Sequence, residues 1–363
     1  MSHESSDMAV AEARRQIEIC NACRYCEGYC AVFPAITQQR AFAEADITQL
    51  ANLCHNCRGC YYACQYAEPH EFALNLPKAL AEVRQDHWQD NAWPRGVARA
   101  FHTSGVAIAL AVVLGFALLF ALARWLPAQG GEGFYAHLSH NLMVAIFAPA
   151  FLLPLVSIAV SLRRSWRAVG GQPVQLADLM GALKAASDMR NLKGGHGEGC
   201  NFEDIDRFTR SRRAAHQLTM WGLLLCFLAT SVATLMHYLF DMPAPYGFWS
   251  LPKLFGITGG VMLALGTAVL AWLKTKADPD LGDRRVWGGE MGFVLLLCFV
   301  ATSGLALYGL GSTGAMPALL ALHLGGVLAF FLLMPYSKMV HGFYRLAALT
   351  RDAQIQRIKA DHS

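Results

Sequence analysis

Cysteine stands at positions 20, 23, 26 and 30 and again at 54, 57, 60 and 64, so the run C-x2-C-x2-C-x3-C occurs twice with identical spacing. Three thiolates from one tight turn can hold three irons of a cubane while the fourth reaches to a neighbouring cluster. The spacing therefore predicts two 4Fe–4S clusters with crossed ligation. Cys20, Cys23, Cys26 and Cys64 hold one, and Cys54, Cys57, Cys60 and Cys30 hold the other. Structural zinc also takes C-x2-C pairs and is the competing reading, but it closes with four ligands and gives no reason for two triple runs with matched outliers. The residue after each fourth cysteine is Ala31 or Gln65, where small soluble ferredoxins carry proline.

Four histidines form the second constellation: His216 and His237, 21 residues apart, and His323 and His341, 18 apart. On a helix, 18 residues return to the same face about 27 Å along, and 21 come within about 60° of it. If each pair rides one membrane-crossing helix and the two helices are antiparallel, His237 meets His323 at the outer level and His216 meets His341 at the inner. Facing imidazoles of this kind suit six-coordinate b-type haem, and the chain has no covalent haem-attachment motif. Two haems are expected, or one if a pair is structural. The bland alternative is that all four are interfacial polar residues at helix ends. Small residues beside them, Gly325 and Gly326 after His323 and Thr230, Ser231 and Thr234 before His237, leave room for a flat macrocycle, although close helix packing also explains them.

These side chains need a membrane to sit in. The chain has 363 residues, 55% hydrophobic and only 15% charged, with mean hydropathy +0.31. Six apolar stretches are long enough to cross a bilayer: 104–126, 141–162, 218–240, 251–273, 291–311 and 317–336. The segment between the second and third holds a dense set of Arg and Lys, as do the one after the fourth and the C-terminal segment, whereas 127–140, 241–250 and 312–316 hold none. The positive-inside rule then places both termini, and the cysteine runs, on the cytoplasmic side of a bacterial inner membrane. A reducing compartment argues against disulfides. The net charge of +4 is accounted for by these loops and gives no case for nucleic-acid binding.

The expected fold is all-α: a helical dicluster ferredoxin-like domain over 1–96, a six-helix cytochrome b-like bundle over 97–345 with a cytoplasmic insert at 163–215, and a cytoplasmic tail at 346–363. Helical periodicity with few β-branched residues marks QQRAFAEADITQLANL and LPKALAEVRQDHW. His102 could replace one inner haem ligand. His137 and His140 are expected in a solvated outer loop, and His55 and His70 flank the second cysteine run. His196 and Cys200 sit in GGHGEGC, a turn read as docking or structural. Cys226 and Cys298 are small apolar groups within spans. LLLCFLATS at 223–231 and LLLCFVATS at 295–303, each followed by a GGV, suggest duplicated helix pairs.

CNACRYCEGYC, LCHNCRGCYYACQYAEPHEFALNLP, GEGCNF, ATSVATLMHY and HLGGVLAFFLLMPYSKMVHGFYR together resemble the citrate/tricarballylate-utilisation protein B family over nearly the whole chain. The cysteine runs are also similar to the helical dicluster domains of fumarate reductase and heterodisulfide reductase. The 18-residue histidine spacing is similar to that of the haem-bearing membrane subunit of respiratory nitrate reductase. The family resemblance implies an electron-transfer subunit of a flavin dehydrogenase:quinone oxidoreductase system. It would reoxidise the reduced FAD of a tricarballylate dehydrogenase-like flavoprotein and pass electrons through clusters and haem to membrane quinone. No dinucleotide fingerprint is present, so the flavin belongs to that partner. Arg212, Arg213, Lys338 and Arg345 are candidates for haem propionates, and Tyr336 and Lys338 for a quinone. Three rival readings stay open: quinol oxidation feeding a cytoplasmic reductase, partnership with a corrinoid-precursor oxidase, and a redox sensor without turnover.

Overall fold

The computed structural model describes residues 3–30, 32–123, 139–194, 197–202 and 206–361. Its regular structure is helical, and the described residues form no strand beyond one isolated bridge between Cys200 and Thr209. The N-terminal domain comprises α1 (His3–Cys23), α2 (Val32–Thr37), α3 (Glu44–Leu53), α4 (Gly59–Tyr62) and α5 (Leu76–Asn91). Ile17, Ile36, Ile47, Leu50, Leu53 and Leu80 are almost wholly buried in one core. Each such side chain contributes about 1.5–3 kcal/mol by leaving water. Asn75 caps α5, its side chain accepting from the Lys78 amide, and Pro77 occupies the first turn, where a missing N–H costs nothing.

Six helices among the described residues are long and apolar enough to cross a membrane. They are α6 (Val97–Ala123), α7 (His140–Ala168), α9 (Ser211–Leu239), α10 (Leu251–Lys276), α11 (Trp287–Leu310) and α12 (Met316–Leu333); the shorter helix α8 (Leu176–Ser187) follows α7. Leu114, Leu118, Leu153, Leu228 and Leu265 stand exposed along their outer faces, as lipid contact requires. Glycines set the seams. A Cβ on Gly105 of α6 would lie 2.5 Å from Gly289 Cα of α11, and one on Gly325 of α12 would lie 2.8 Å from the Val113 carbonyl oxygen of α6. Between α9 and α10, Gly222, Gly259 and Gly266 bring backbone against backbone. Helix α9 makes its seam with α10 and meets α7 chiefly through side chains such as Phe151 and Phe227, 6.1 Å apart.

Two expectations change. The sixth crossing helix stops at Leu333, a 3-10 turn covers Met334–Tyr336, and Ser337 is extended before α13 (Val340–Asp361) begins. Pro335, which has no amide hydrogen and crowds the preceding turn, lies at this break. His323 and His341 therefore ride different helices. The stretch 346–363 is no loose tail either, since its described part belongs to α13. Ala348 and Leu349 complete the N-terminal core, and Gln49 donates to the Ala348 carbonyl at 2.7 Å. Further along, Arg357 Nε pairs with Asp178 of α8 at 2.9 Å, and buried Gln354 donates to the carbonyls of Gln172 and Pro173.

Candidate redox centre

Both cysteine runs lie where a helix ends. Cys20 and Cys23 share the last turn of α1, and Arg24, in the left-handed region at φ +56°, turns the chain toward Cys26. Cys54 caps the C-terminus of α3; Asn56 and Arg58, at φ +50° and +67°, then coil the loop so that Cys57 and Cys60 come inward. Non-glycine residues accept this conformation only where the surroundings over-determine it. Here Asn56 donates through Nδ2 to the Leu281 carbonyl, and Arg58 to Asn56 Oδ1 and the Phe202 carbonyl, each at 3.0 Å.

The thiols line two adjoining pockets. One, about 470 Å³ and open to solvent, is lined by Cys20, Cys23, Cys26 and Cys64 together with Cys60, Phe33 and Leu76. The other, about 450 Å³, is lined by Cys30, Cys54, Cys57 and Cys60 with Leu53, Leu80 and Asn191. Cys64 thus groups with the first run and Cys30 with the second. The pockets suit a polyatomic guest bounded by thiols. Burial first, and neighbouring thiols second, push Cys20 and Cys26 up to about 12, and Cys30 and Cys60 rise well above the ordinary thiol range. Thiols held this way become thiolates when a cationic guest supplies the charge, so the donor set fits iron–sulfur clusters.

The inner histidine pair meets. His216 of α9 and His341 of α13 have ring centroids 5.7 Å apart with planes nearly perpendicular. His341 donates from Nδ1 to the Lys338 carbonyl, which leaves Nε2 for a metal, while buried His216 Nδ1 has no protein partner. His55, between Cys54 and Cys57, is close to His216, and its Nδ1 is 2.8 Å from the Leu53 carbonyl. His216 and His341 are of the donor type that would hold a haem iron, beside the second cysteine pocket. The outer pair does not meet: His237 stacks on His140 with centroids 4.3 Å apart, and His323 Nδ1 lies 3.1 Å from Ser303 Oγ. His140 is not in a solvated loop; it opens α7 and hydrogen-bonds Tyr238 Oη at 2.9 Å. His137 and His196 lie outside the described residues.

The residues proposed for propionates and quinone have protein partners. Arg345 Nη2 donates to the Cys54 carbonyl at 3.0 Å, Arg212 Nη1 to the Asn56 carbonyl at 2.6 Å, and Arg213 Nη2 to the Asp188 carbonyl at 3.0 Å. Lys338 pairs with Glu290, which also holds Lys274 Nζ at 2.5 Å. Tyr336 Oη donates to the Trp93 carbonyl at 3.2 Å. His102 packs against Gly289, and His70 sits in a surface aromatic group with Tyr66 and Phe72.

Residues 97–362 match the family described as citrate utilization protein B, and residues 13–90 match the citrate utilization protein B Fer4-like domain. The chain belongs to the citrate utilization protein B family. A relative from Escherichia coli, named citrate utilization protein B, is 45% identical over 350 residues, spanning 94% of this chain and 91% of its own. No solved structure matches. In this citrate utilization protein B family member the chain at Cys200 and Asn201 docks onto the second cysteine loop: Asn201 N donates to the Cys57 carbonyl at 2.9 Å, and buried Cys200 packs beside Cys57. The repeated LLLCF segments do not pack alike. Gly259 of the first GGV abuts Leu225 and Cys226 of its own helix pair, whereas Gly325 of the second abuts α6.

Proposed function

We propose that this protein is a membrane electron-transfer subunit. In this reading it reoxidises the reduced FAD of a partner dehydrogenase acting on a tricarboxylate of the citrate or tricarballylate class, and delivers the electrons to membrane quinone. The Escherichia coli relative's name gives the substrate class. The observation that carries the reading is the sorting of eight cysteines into two thiol-lined pockets, the second of which adjoins the His216–His341 pair. When bound, the clusters and haem supply one-electron steps that bridge a two-electron flavin and a two-electron quinone.

The chain's own residues hold and space these groups. Cys20, Cys23, Cys26 and Cys64 form one ligand set, Cys54, Cys57, Cys60 and Cys30 the other. His216 and His341 would hold a haem beside the second pocket, whereas the stacked rings of His140 and His237 leave no room for an iron between them. Basic segments on one side of the bundle and their absence from 241–250 and 312–316 support a cytoplasmic cysteine domain in a bacterial inner membrane.

The test is anaerobic. Protein purified in detergent should hold about eight irons and b-type haem, become reduced by the partner flavoprotein with its tricarboxylate, and be reoxidised on adding quinone. Iron near one atom per chain overturns the cluster assignment. Reduced cofactors that ignore quinone overturn the routing and favour a sensor, and faster reduction by quinol than by the flavoprotein reverses the direction.

A further inference from the structure

The two cysteine pockets differ in their electrostatic setting. Three arginines from three distant elements converge on the carbonyls of the second loop: Arg84 of α5 and Arg345 of α13 both reach the Cys54 oxygen at 3.0 Å, and Arg212 of α9 reaches that of Asn56 at 2.6 Å. Arg84 is 5% exposed. Among the described residues none of the three is ion-paired to a carboxylate; Glu290 of α11 is committed to Lys274 and Lys338. Arg212 instead stacks over Phe202, its guanidinium carbon 4.0 Å from the ring centroid. Among the described residues nothing comparable faces the first pocket. Arg24 there is exposed and turns back to the Asn21 carbonyl, and the rim carries Tyr25, 65% exposed.

A cluster's reduction potential follows local charge, hydrogen bonding and solvent exposure. Buried positive charge without a counter-ion favours the reduced, more negative cluster, and acts strongly because water does not screen it. Resting on the cluster assignment above, we propose that Arg84, Arg212 and Arg345 raise the potential of the cluster held by Cys54, Cys57, Cys60 and Cys30 above that of its partner. The solvent-facing cluster on Cys20, Cys23, Cys26 and Cys64 is then the entry point. When bound, the clusters would pass one electron from the first, which is oxidised, to the second, which is reduced, with no proton moved; the second pocket is lined by His55, which lies near His216. The arginines are positioning residues, which tune the cluster through the loop that holds it.

The experiment is an anaerobic redox titration of the full-length protein in detergent, followed by electron paramagnetic resonance. Wild type should show two cluster signals with separate midpoints, and Cys57→Ser should perturb the higher one. Arg345→Gln should move that midpoint down and leave the other in place, and Arg345→Lys, which keeps the charge, should restore it. Arg212→Gln gives an independent reading on the Asn56 side should Arg345→Gln fail to fold. Equal movement of both midpoints, no movement of either, or assignment of the higher signal to the first run overturns the proposal. Two cluster signals with unmoved midpoints overturn it while sparing the functional reading, whereas the absence of two clusters in wild type overturns both.

Discussion

The imidazole of His237 stacks on that of His140, 4.3 Å between centroids, while His323 turns to Ser303 on α11. The outer end of α9 therefore faces α7. His140→Ala, His237→Ala and His323→Ala should leave haem content unchanged, since rings stacked 4.3 Å apart leave no room for an iron between them. His216→Ala and His341→Ala should each lower it, because loss of a coordinating nitrogen loosens the group rather than retuning it. Haem-to-protein ratios and optical redox titrations read this out. Loss of haem on His237→Ala or His323→Ala would restore a second, outer site.

Crossed ligation is tested by the fourth cysteine of each run. Cys64→Ser should degrade the cluster on Cys20, Cys23 and Cys26, and Cys30→Ser the cluster on Cys54, Cys57 and Cys60. Paired iron analysis and resonance spectra distinguish the two. Damage confined to the cluster of the mutated run means that each run closes on itself.

Topology makes a third check. A reporter enzyme active only in the periplasm should be active when fused within 312–316 and silent when fused within 190–200. The opposite pattern would put the cysteine domain outside the cytoplasm.

Acid should weaken the joint between the two domains. His87 of α5 lies 2.7 Å from Ser165 Oγ of α7, and burial pushes its imidazole down to about 4. An unfolded histidine titrates near 6.5, so between about 4 and 6.5 the unfolded chain takes a proton that the folded chain refuses, and stability falls as pH falls. Neighbouring Asp86, pushed up to about 6 by burial, acts in the opposite sense over part of that window. Comparison with His87→Gln removes its contribution. Wild type should lose about 1.4 kcal/mol of stability per pH unit relative to the variant, read from unfolding in detergent. Parallel curves would mean that the folded ring is protonated.

Local spacing and hydropathy carried most of the architecture. Helices, spans and the sorting of Cys30 and Cys64 into opposite pockets follow from patterns a few residues long, or from a ligation rule tied to them. The His216–His341 meeting was expected on a helical phase that does not hold, because the helix breaks around Pro335; the chain re-enters as α13 and brings His341 to His216 by another path. The start of α7 is weakly apolar, so hydropathy opens the span at 141, one residue after His140, where the helix begins. Arg212 and Arg345 were legible only as candidates for haem propionates, and their contact with the second cysteine loop was not, since Arg345 and Cys54 are 291 residues apart and no periodicity links them. Its one available signal was the retention of ionisable residues at the edge of an apolar segment.

Helix α13 carries a consequence for how the protein is made. Ala348 and Leu349, which follow all six spans in the chain, fill the core of the domain that precedes them, and Arg345 seals its second cysteine loop. Translation proceeds at about 5–20 residues per second, so the N-terminal domain waits for all six spans to be inserted before its own interior is complete. A cluster in the second pocket is thereby expected to form only once α13 is in place. A chain truncated after the last span should reach the membrane and yet fail to mature.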